Sequence, residues 1–515
     1  MPNPLTGKRI ILGVTGSIAA YKAADLASKL TQAGALVDVI LTQAALQFIT
    51  PLTFQSVTGR RAYVDADLWG SEGHVQHIAL GHQADLVVIA PLTANTLARL
   101  AHGIADNLLC VAALAADCPL LLAPAMDGHM YTHPATQANL ELLKSRGAII
   151  VGPAQGHLAS GLEGIGRMVE PADLLGHIRL VMSRHSPLAG WRVLVTAGGT
   201  SEPIDPVRTI TNRSSGKQGF ALAQAALDQG ATVTLIAGQT HLAEPVGAER
   251  VNIQTAHELQ AEVLQRLPYT DILLMAAAVA DFRPADPADQ KIKKDAGLPV
   301  IHLENTPDIL AAVGQQRAQS NNLEVVVGFA AESQDLLTNA QAKLTKKRLD
   351  FIVANDISAS DAGFGVDTNR VTLLFASGKV EVLPLLSKAQ VAETVVDRVT
   401  ALVQSRPLVH ICTPQAWEQA QQDNGYRPPS LQEQGFIHFS RPHQAVGVAN
   451  KYYRQAKDLL LLWIDPRHLS APLRWELSDG QLFPHLYGPL NLEAVSRTSR
   501  LTPDEDGIYS SLEEG

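Results

Sequence analysis

The pattern that most narrows the fold is an alternation that runs twice along the chain. Arg9-Ile10-Ile11-Leu12-Gly13-Val14 is a short β-branched run, Gly16-Ser17 make a turn, and a helical stretch continues to about Ala33. Val37 to Leu41, Leu86 to Ala90 and Pro119 to Ala123 repeat the run. The theme restarts at Val193 to Thr196, with a long loop, a helix from about Gly219, and Thr232 to Ile236. Further runs follow at Ile272 to Ala276, Val325 to Gly328 and Phe351 to Ala354. Strands buried on both faces read as continuous apolar runs, and alternation with helices builds a parallel sheet covered on both sides. The expectation is an α/β protein with two doubly wound, Rossmann-like parallel-sheet domains.

Two polar, proline-marked segments punctuate this pattern, Ser183 to Pro187 and Gln404-Ser405-Arg406-Pro407, and such segments mark linkers. They divide the chain into domains 1–185, 186–403 and 404–515. The last, with short strands and many prolines, reads as a small α+β domain. A prior of ~150 residues per domain also suggests about three for 515 residues.

The net charge of −9 argues against general nucleic-acid binding, so an anionic ligand must be held by local basic groups. Cys110, Cys118 and Cys412 lack metal-ligand spacing and read as reduced thiols, mostly buried. No signal peptide opens the chain, and charged residues cut the longest apolar stretches, at Asp106, Asp117 and Asp127, too short to span a bilayer. A cytoplasmic protein is expected.

Ligands of open parallel sheets sit outside the carboxyl ends of the strands. In the first domain those ends carry Gly13 to Lys22 with Gly16 and Ser17, then Thr42, then Pro91 to Thr96 with Thr93 and Asn95, then Pro124-Ala125-Met126-Asp127. Glycines let the backbone approach an anion, and a helix N-terminus favours negative charge. Together with Gly73 to Ile78, Gly103 to Leu108 and Ala159-Ser160-Gly161 to Met168, these segments resemble the flavin-dependent cysteine decarboxylases. They resemble in particular the decarboxylase half of the bifunctional phosphopantothenoylcysteine decarboxylase/phosphopantothenate–cysteine ligase family.

The resemblance implies FMN and makes His77 the base that helps to oxidise the substrate thiol. Imidazole titrates near neutrality and suits that task. It also implies an asparagine gripping the substrate carboxylate and a cysteine donating the last proton, where this chain has Asp127 and Ser160. A serine hydroxyl is a far weaker acid than a thiol. One reading is a variant in which a neutral Asp127 donates that proton. The other is a slow or defective decarboxylase, a flavin-binding regulatory protein with an active ligase. The first is favoured because His77 and the flavin loops are intact. A flavin prenyltransferase on the same fold would leave the second domain unexplained.

The second domain opens with Val195 to Lys217, in which Gly216-Lys217 suggests a Walker A loop. That motif fails, because residue 211 is threonine and Gln218 stands where Ser or Thr should bind magnesium. With Ala276 to Phe282, Lys291 to Lys294, Asn305 to Leu310, Gly328 to Glu332 and Ala354 to Asp356, it is similar to the ligase half of the same family. The resemblance implies that CTP activates the carboxylate of 4′-phosphopantothenate as an acyl-cytidylate, with Mg2+, and that L-cysteine then attacks it.

By that resemblance Lys291 serves cytidylate formation and Asn212 positions the acyl-cytidylate. Asp281, Pro307, Asp308 and Phe329 contact the nucleotide, and Lys343 and Lys347, four apart on one helix face, meet the triphosphate. Metal ligands are not identified. The resemblance also implies a homo-oligomer, with trimers of flavin halves and pairs of ligase halves combining in a dodecamer. Residues 404–515 are similar to a small bacterial family of unknown function whose fold is thought to be related to ADP-ribosyltransferases. There His410, His438 and His485 either line one pocket or are separate core residues.

Overall fold

The computed structural model describes residues 3–68, 73–157, 161, 163–293, 300–318, 323–332, 336–356, 366–454, 456, 458–478, 480–504, 507–510 and 512, without the side chains of 73–77, 332 and 356. The chain forms two compact units, Met1–His185 and Ser186–Gly515.

The first unit holds strands β1 (Arg9–Val14), β2 (Leu36–Leu41), β3 (Ala62–Val64), β4 (Leu86–Leu92), β5 (Leu120–Pro124) and β6 (Ile149–Ile150). They form a parallel sheet in the order β3-β2-β1-β4-β5-β6. Successive side chains leave a strand on opposite faces, so Ile10, Leu12 and Val14 pack with Leu26 and Leu30 of helix Ala20–Gln32 and with Phe54. Ile11 joins Leu97, Leu109 and Leu140 on the other face. Covering both faces is what made the runs continuous. An antiparallel hairpin, β7 (Ala154–His157) and β8 (Glu163–Arg167), follows the sheet.

In the second unit come β9 (Arg192–Ala197), β10 (Ser201–Pro203), β11 (Thr209–Thr211), β12 (Thr232–Ala237), β13 (Ala248–Asn252), β14 (Ile272–Met275), β15 (Phe282–Pro284) and β16 (Leu303–Asn305). They are followed by β17 (Val325–Glu332), β18 (Phe351–Asp356), β19 (Thr368–Asn369), β20 (Val371–Phe375), β21 (Val380–Val382) and β22 (Leu386–Ser387). The main sheet runs β13-β12-β9-β14-β17-β18-β20-β21. Its first six strands are parallel, in the order of the first unit. The last two, β20 and β21, are antiparallel, an addition that the parallel-sheet expectation did not include. Antiparallel neighbours can be joined by a tight turn, so these short strands extend the edge without a crossover helix.

One device recurs at the amino ends of both sheets. Asp85, Asp271 and Asp350 each precede a strand and accept the backbone N–H of Arg9, Arg192 and Val326 at the start of the neighbouring strand, at 2.8, 2.9 and 2.7 Å. A carboxylate here satisfies a donor for which the ladder has no partner.

The C-terminal part of this unit contains β23 (Leu408–Cys412), β24 (Ile437–His438), β25 (Leu459–Ile464), β26 (Leu473–Ser478), β27 (Gln481–Leu486) and β28 (Val495–Leu501). They form two antiparallel three-stranded sheets, β23-β25-β28 and β24-β27-β26. Helices Pro414–Gln422 and Pro442–Tyr452 accompany them.

Candidate functional site

In the first sheet the strand order reverses between β1 and β4, which opens a crevice at their carboxyl ends. Gly16 and Ser17 follow β1, Thr42 follows β2, Thr93 and Asn95 lie just beyond β4, and Met126 and Asp127 follow β5. All seven therefore stand on one edge of one sheet. Thr15 ties two of these loops together: its Oγ1 donates to the Pro91 carbonyl at 2.7 Å and accepts the Thr93 N–H at 3.0 Å. Gly16 approaches Ala44 so closely that a Cβ would overlap it. The helix Ala20–Gln32 begins without a side-chain cap, which leaves the pole of its dipole to another acceptor.

A cavity of ≈490 Å³ lies at this edge, lined by Ser17, Met126 and Asp127 of the expected set and by Tyr21, Lys22, His157, Arg167 and Met168. Gly16, Thr42, Thr93 and Asn95 stand outside its lining. One wall is the β7–β8 hairpin, where the Met126 N–H donates to the Gly166 carbonyl at 3.0 Å. At φ 145° Gly166 turns its Cα onto the Met126 carbonyl, and a Cβ would overlap that oxygen.

Lys22 and Arg167 were not singled out from the sequence. Lys22 is 4% exposed and donates to the Met168 carbonyl at 3.0 Å and to Glu170 at 2.8 Å. Arg167 binds the same carboxylate at 2.7 Å. The Lys22 ammonium first, and then Arg167, hold the Glu170 carboxyl below the usual range. The available signal was a lysine four residues before Leu26 on the apolar stripe of its helix.

Asp127 begins the short helix Gly128–Thr132, and its Oδ1 accepts the His129 N–H at 2.9 Å. His77 is on helix Gly73–Gln83, but its side chain lies outside the described residues, and Ser160 lies outside them altogether.

The second sheet offers the equivalent crevice between β9 and β14. A cavity of ≈140 Å³ there is lined by Ser214 to Gly219, Ala276 to Ala278, Phe329 to Ala331, Asn355, Asn369, Val371 and Lys388. Gly216, at φ 76°, precedes helix Lys217–Asp228, which has no side-chain cap. Gly219 lies so close to Ala197 that a Cβ would overlap it. Lys388 is 8% exposed, and burial, with Lys217 nearby, pushes its pKa down. Lys217 itself pairs with Asp367. The failed Walker motif thus still supplies a glycine turn, a helix start and a lysine, while Lys388 comes from far along the chain.

Of the expected nucleotide contacts, Phe329 lines this cavity and the others stand outside its lining. Asn212 donates from Nδ2 to the Val279 carbonyl at 2.9 Å, which fastens the turn after β14. Asp281 is exposed, and its carbonyl accepts the Thr306 N–H at 3.0 Å just before Pro307. Asp308 caps helix Ile309–Arg317 and pairs with Lys347 at 3.1 Å. Lys347 lies one residue past helix Leu336–Lys346. Its N–H still bonds the Lys343 carbonyl at 3.0 Å, so the two lysines share a face.

Lys291 is exposed in the segment between β15 and β16. Its neighbour Ile292 is clamped: the N–H donates to Asp205 at 3.1 Å and the carbonyl accepts from Arg208 at 3.0 Å. Asp205 is buried and pairs with Arg208. Those guanidinium bonds, with the backbone N–H groups of Val207, Ile292 and Arg208, hold its carboxyl far below the usual range. Among the described residues, no three His, Cys, Asp or Glu side chains gather to hold a metal.

The C-terminal histidines divide. His410 is a core residue, bonded to the His438 carbonyl at 2.6 Å and the Tyr426 hydroxyl at 3.0 Å, and burial pushes its pKa down to about 4. His438 and His485 meet edge to face at 5.0 Å, and Phe436 stacks on His485 at 4.3 Å.

The family described as flavoprotein matches residues 1–183, and that described as DNA/pantothenate metabolism flavoprotein C-terminal domain matches 188–403. Residues 411–498 match a protein family of unknown function. The chain is 43% identical over 401 residues to the coenzyme A biosynthesis bifunctional protein CoaBC of Bacillus subtilis, covering 77% of this chain and 98% of that one. For its counterpart in Vibrio cholerae the identity is 46% over 393 residues, covering 76% and 97%. For that of Mycobacterium tuberculosis it is 46% over 408 residues, covering 77% and 97%. A crystal structure of the C-terminal domain of such a protein is 36% identical and covers 42% of this chain and 98% of its own, with a TM-score of 0.36.

Proposed function

This chain belongs to the family of coenzyme A biosynthesis bifunctional proteins, and on that premise we propose that it joins L-cysteine to 4′-phosphopantothenate and decarboxylates the product to 4′-phosphopantetheine. The observation that carries this reading is the pairing, in one chain, of two sheets that share the order of six parallel strands, each with a cavity at its carboxyl edge. We assign the decarboxylase to residues 1–185, the ligase to 186–403, and leave 404–515 as a further domain.

In the ligase, a carboxylate oxygen of 4′-phosphopantothenate attacks the α-phosphorus of CTP and pyrophosphate leaves. The cysteine amine then attacks the acyl carbon, CMP leaves, and the amine gives up its proton. Negative charge builds on the phosphates in the first step, and cations held in place stabilise it. Lys291, kept in register by the Asp205–Arg208 clamp on Ile292, takes that role, and Lys343 and Lys347 carry the triphosphate. Phe329 and Asp281, with Pro307 and Asp308, hold the cytidine end, and Asn212 positions the acyl-cytidylate. Mg2+ enters with CTP, since this ion is commonly held through phosphates and waters rather than by an all-protein cage.

The first cavity fits an anionic, planar cofactor. Its volume falls in the range of small-molecule sites, ~300–1,000 Å³, and it joins two cationic side chains to an uncapped helix start. We propose FMN along this sheet edge, held by Ser17 and Met126 in the cavity and by Gly16, Thr42, Thr93 and Asn95 on the neighbouring loops beyond its lining. Bound FMN supplies the reversible two-electron oxidation at the cysteinyl carbon that makes loss of CO2 easy. His77 takes the thiol proton. Asp127 then returns a proton after CO2 has left, and Ser160 takes the sequence position of the family cysteine.

No helix among the described residues is long and apolar enough to cross a membrane, and we place the enzyme in the cytoplasm. We also propose the trimer-and-dimer assembly of the family, which light scattering on the full chain tests. The activity test incubates the yellow protein with 4′-phosphopantothenate, cysteine and CTP and follows pyrophosphate and CO2 separately. Both should appear. Pyrophosphate without CO2 would leave a ligase with a defective decarboxylase, and CO2 release unchanged in His77→Asn would remove His77 from the chemistry.

A further inference from the structure

The parallel ladder between β9 and β14 continues past the ends of the two strands. The Ala278 N–H donates to the Gly198 carbonyl at 2.8 Å, the Thr200 N–H reaches the Ala278 carbonyl at 3.4 Å, and Gly199 and Ala278 form a bridge. The next rung of a parallel ladder would take the Ala280 N–H to the Thr200 carbonyl. Here the Thr200 Oγ1 accepts that N–H instead, at 2.9 Å, while the Thr200 carbonyl accepts the Thr211 hydroxyl at 2.7 Å. The side chain stands in for its own carbonyl in the ladder and releases that carbonyl to the hairpin β10–β11.

Three segments therefore meet at one residue: the turn after β9, the loop after β14 and the end of β11. Thr200 is 0% exposed and stands outside the cavity lining, to which the loop after β14 contributes Ala276 to Ala278. Two of the three segments carry residues that the ligase reading puts to work. Asn212 follows Thr211 and donates to the Val279 carbonyl at 2.9 Å. Asp281 follows Ala280, whose carbonyl accepts the Thr306 hydroxyl just before Pro307 and Asp308. Ala280 is buried, and a buried N–H deprived of its acceptor is costly, so the loop would have to shift if the Thr200 hydroxyl were removed.

We propose that Thr200 is a positioning residue of the ligase, whose hydroxyl fixes Asn212 and Asp281 relative to each other from outside the cavity. The inference rests on the ligase reading of residues 186–403.

The test compares two full-chain variants: Thr200→Val, which keeps the branched shape and loses the hydroxyl, and Thr200→Ser, which keeps the hydroxyl. Pyrophosphate formation from 4′-phosphopantothenate and CTP, and CMP release on adding cysteine, are followed in single turnovers. CO2 release from supplied 4′-phosphopantothenoylcysteine reports the first unit. A misplacement of about 1 Å can cost about 100-fold in rate, so Thr200→Val should slow both ligase steps by about that factor and leave CO2 release unchanged. Thr200→Ser should retain both steps within about fivefold of wild type. In Thr200→Val combined with Asn212→Ala the losses in CMP release should not multiply, because residues of one network are not additive. Thr211→Val removes an exposed hydroxyl from the same link, spares the core, and should slow CMP release about tenfold. Thermal melting checks that each variant is folded. Wild-type ligase rates in folded Thr200→Val or Thr211→Val would overturn the proposal. An equal loss in Thr200→Ser, a parallel fall in CO2 release, or losses that multiply in the double variant would overturn it as well. A wild type that forms no pyrophosphate would instead overturn the ligase reading, which tells the two failures apart.

Discussion

Replacing Asn212 by alanine separates two roles that its position combines. The side chain is exposed, and the one short bond it makes runs from Nδ2 to the Val279 carbonyl at 2.9 Å; the Ala278 carbonyl is 3.5 Å away. Water can take over an exposed carbonyl, so the loss of this bond costs about 1 kcal/mol. That corresponds to a fall in melting temperature of roughly 2–4 °C and to about a fivefold change in any equilibrium that depends on the turn. If Asn212 acts only through the Ala278–Val279 turn, both half-reactions should slow by no more than that factor. If it also holds the acyl-cytidylate, it touches the reacting group, and removing one such donor lowers the rate about 100-fold or more. Single-turnover reactions with 4′-phosphopantothenate, cysteine and CTP, quenched and assayed for pyrophosphate and for CMP, resolve the two. The expected result is a pyrophosphate burst within about fivefold of wild type and CMP release slowed about 100-fold. A CMP rate reduced by only about fivefold would show that the residue merely fastens the turn.

Two further perturbations address the other domains. Gly166→Ala puts a Cβ on the Met126 carbonyl at a backbone conformation of φ 145°, strain of about 1–3 kcal/mol. Flavin retained per chain should fall about tenfold while pyrophosphate release is unchanged, and undiminished yellow colour would refute the hairpin's place in the cavity wall. The pKa of His410, lowered from 6.5 to about 4 by burial, favours the neutral folded form. The stability it contributes is therefore complete above pH 6.5 and is lost as pH falls towards 4, ~3 kcal/mol in all. Denaturant titrations of wild type and His410→Gln between pH 7.5 and 4 should show the variant losing less stability with acid, and parallel curves would contradict this.

Much of this protein is local and was therefore legible. The inner strands of the two main sheets announce themselves as apolar runs because both faces are covered, and those runs end in the turn residues that a sheet edge needs, whereas the outer strands β13 and β21, with Glu249, Arg250 and Glu381, carry no such signal. Gly16, Ser17, Met126 and Asp127 could be assigned to one edge before any coordinate was known, since parallel strands all point their carboxyl ends the same way. The histidines of the C-terminal domain were ambiguous for the opposite reason. A strand shows which residues alternate but not which neighbour they face, and only the register of β24 against β27 sets His438 opposite His485.

What the tertiary structure alone decided are contacts made across long stretches of chain. Asp205 meets Ile292 across 87 residues, and Lys388 reaches the cavity that begins at Ser214. Arg441 of the C-terminal domain meets Asp271 and Glu324 of the ligase. Periodicity and turn chemistry act over a few residues and determine which elements form. The pairing of charges and the space left between packed surfaces depend on how those elements meet, so the clamp on the Lys291 segment and the meeting of three segments at Thr200 became visible only when the chain was folded.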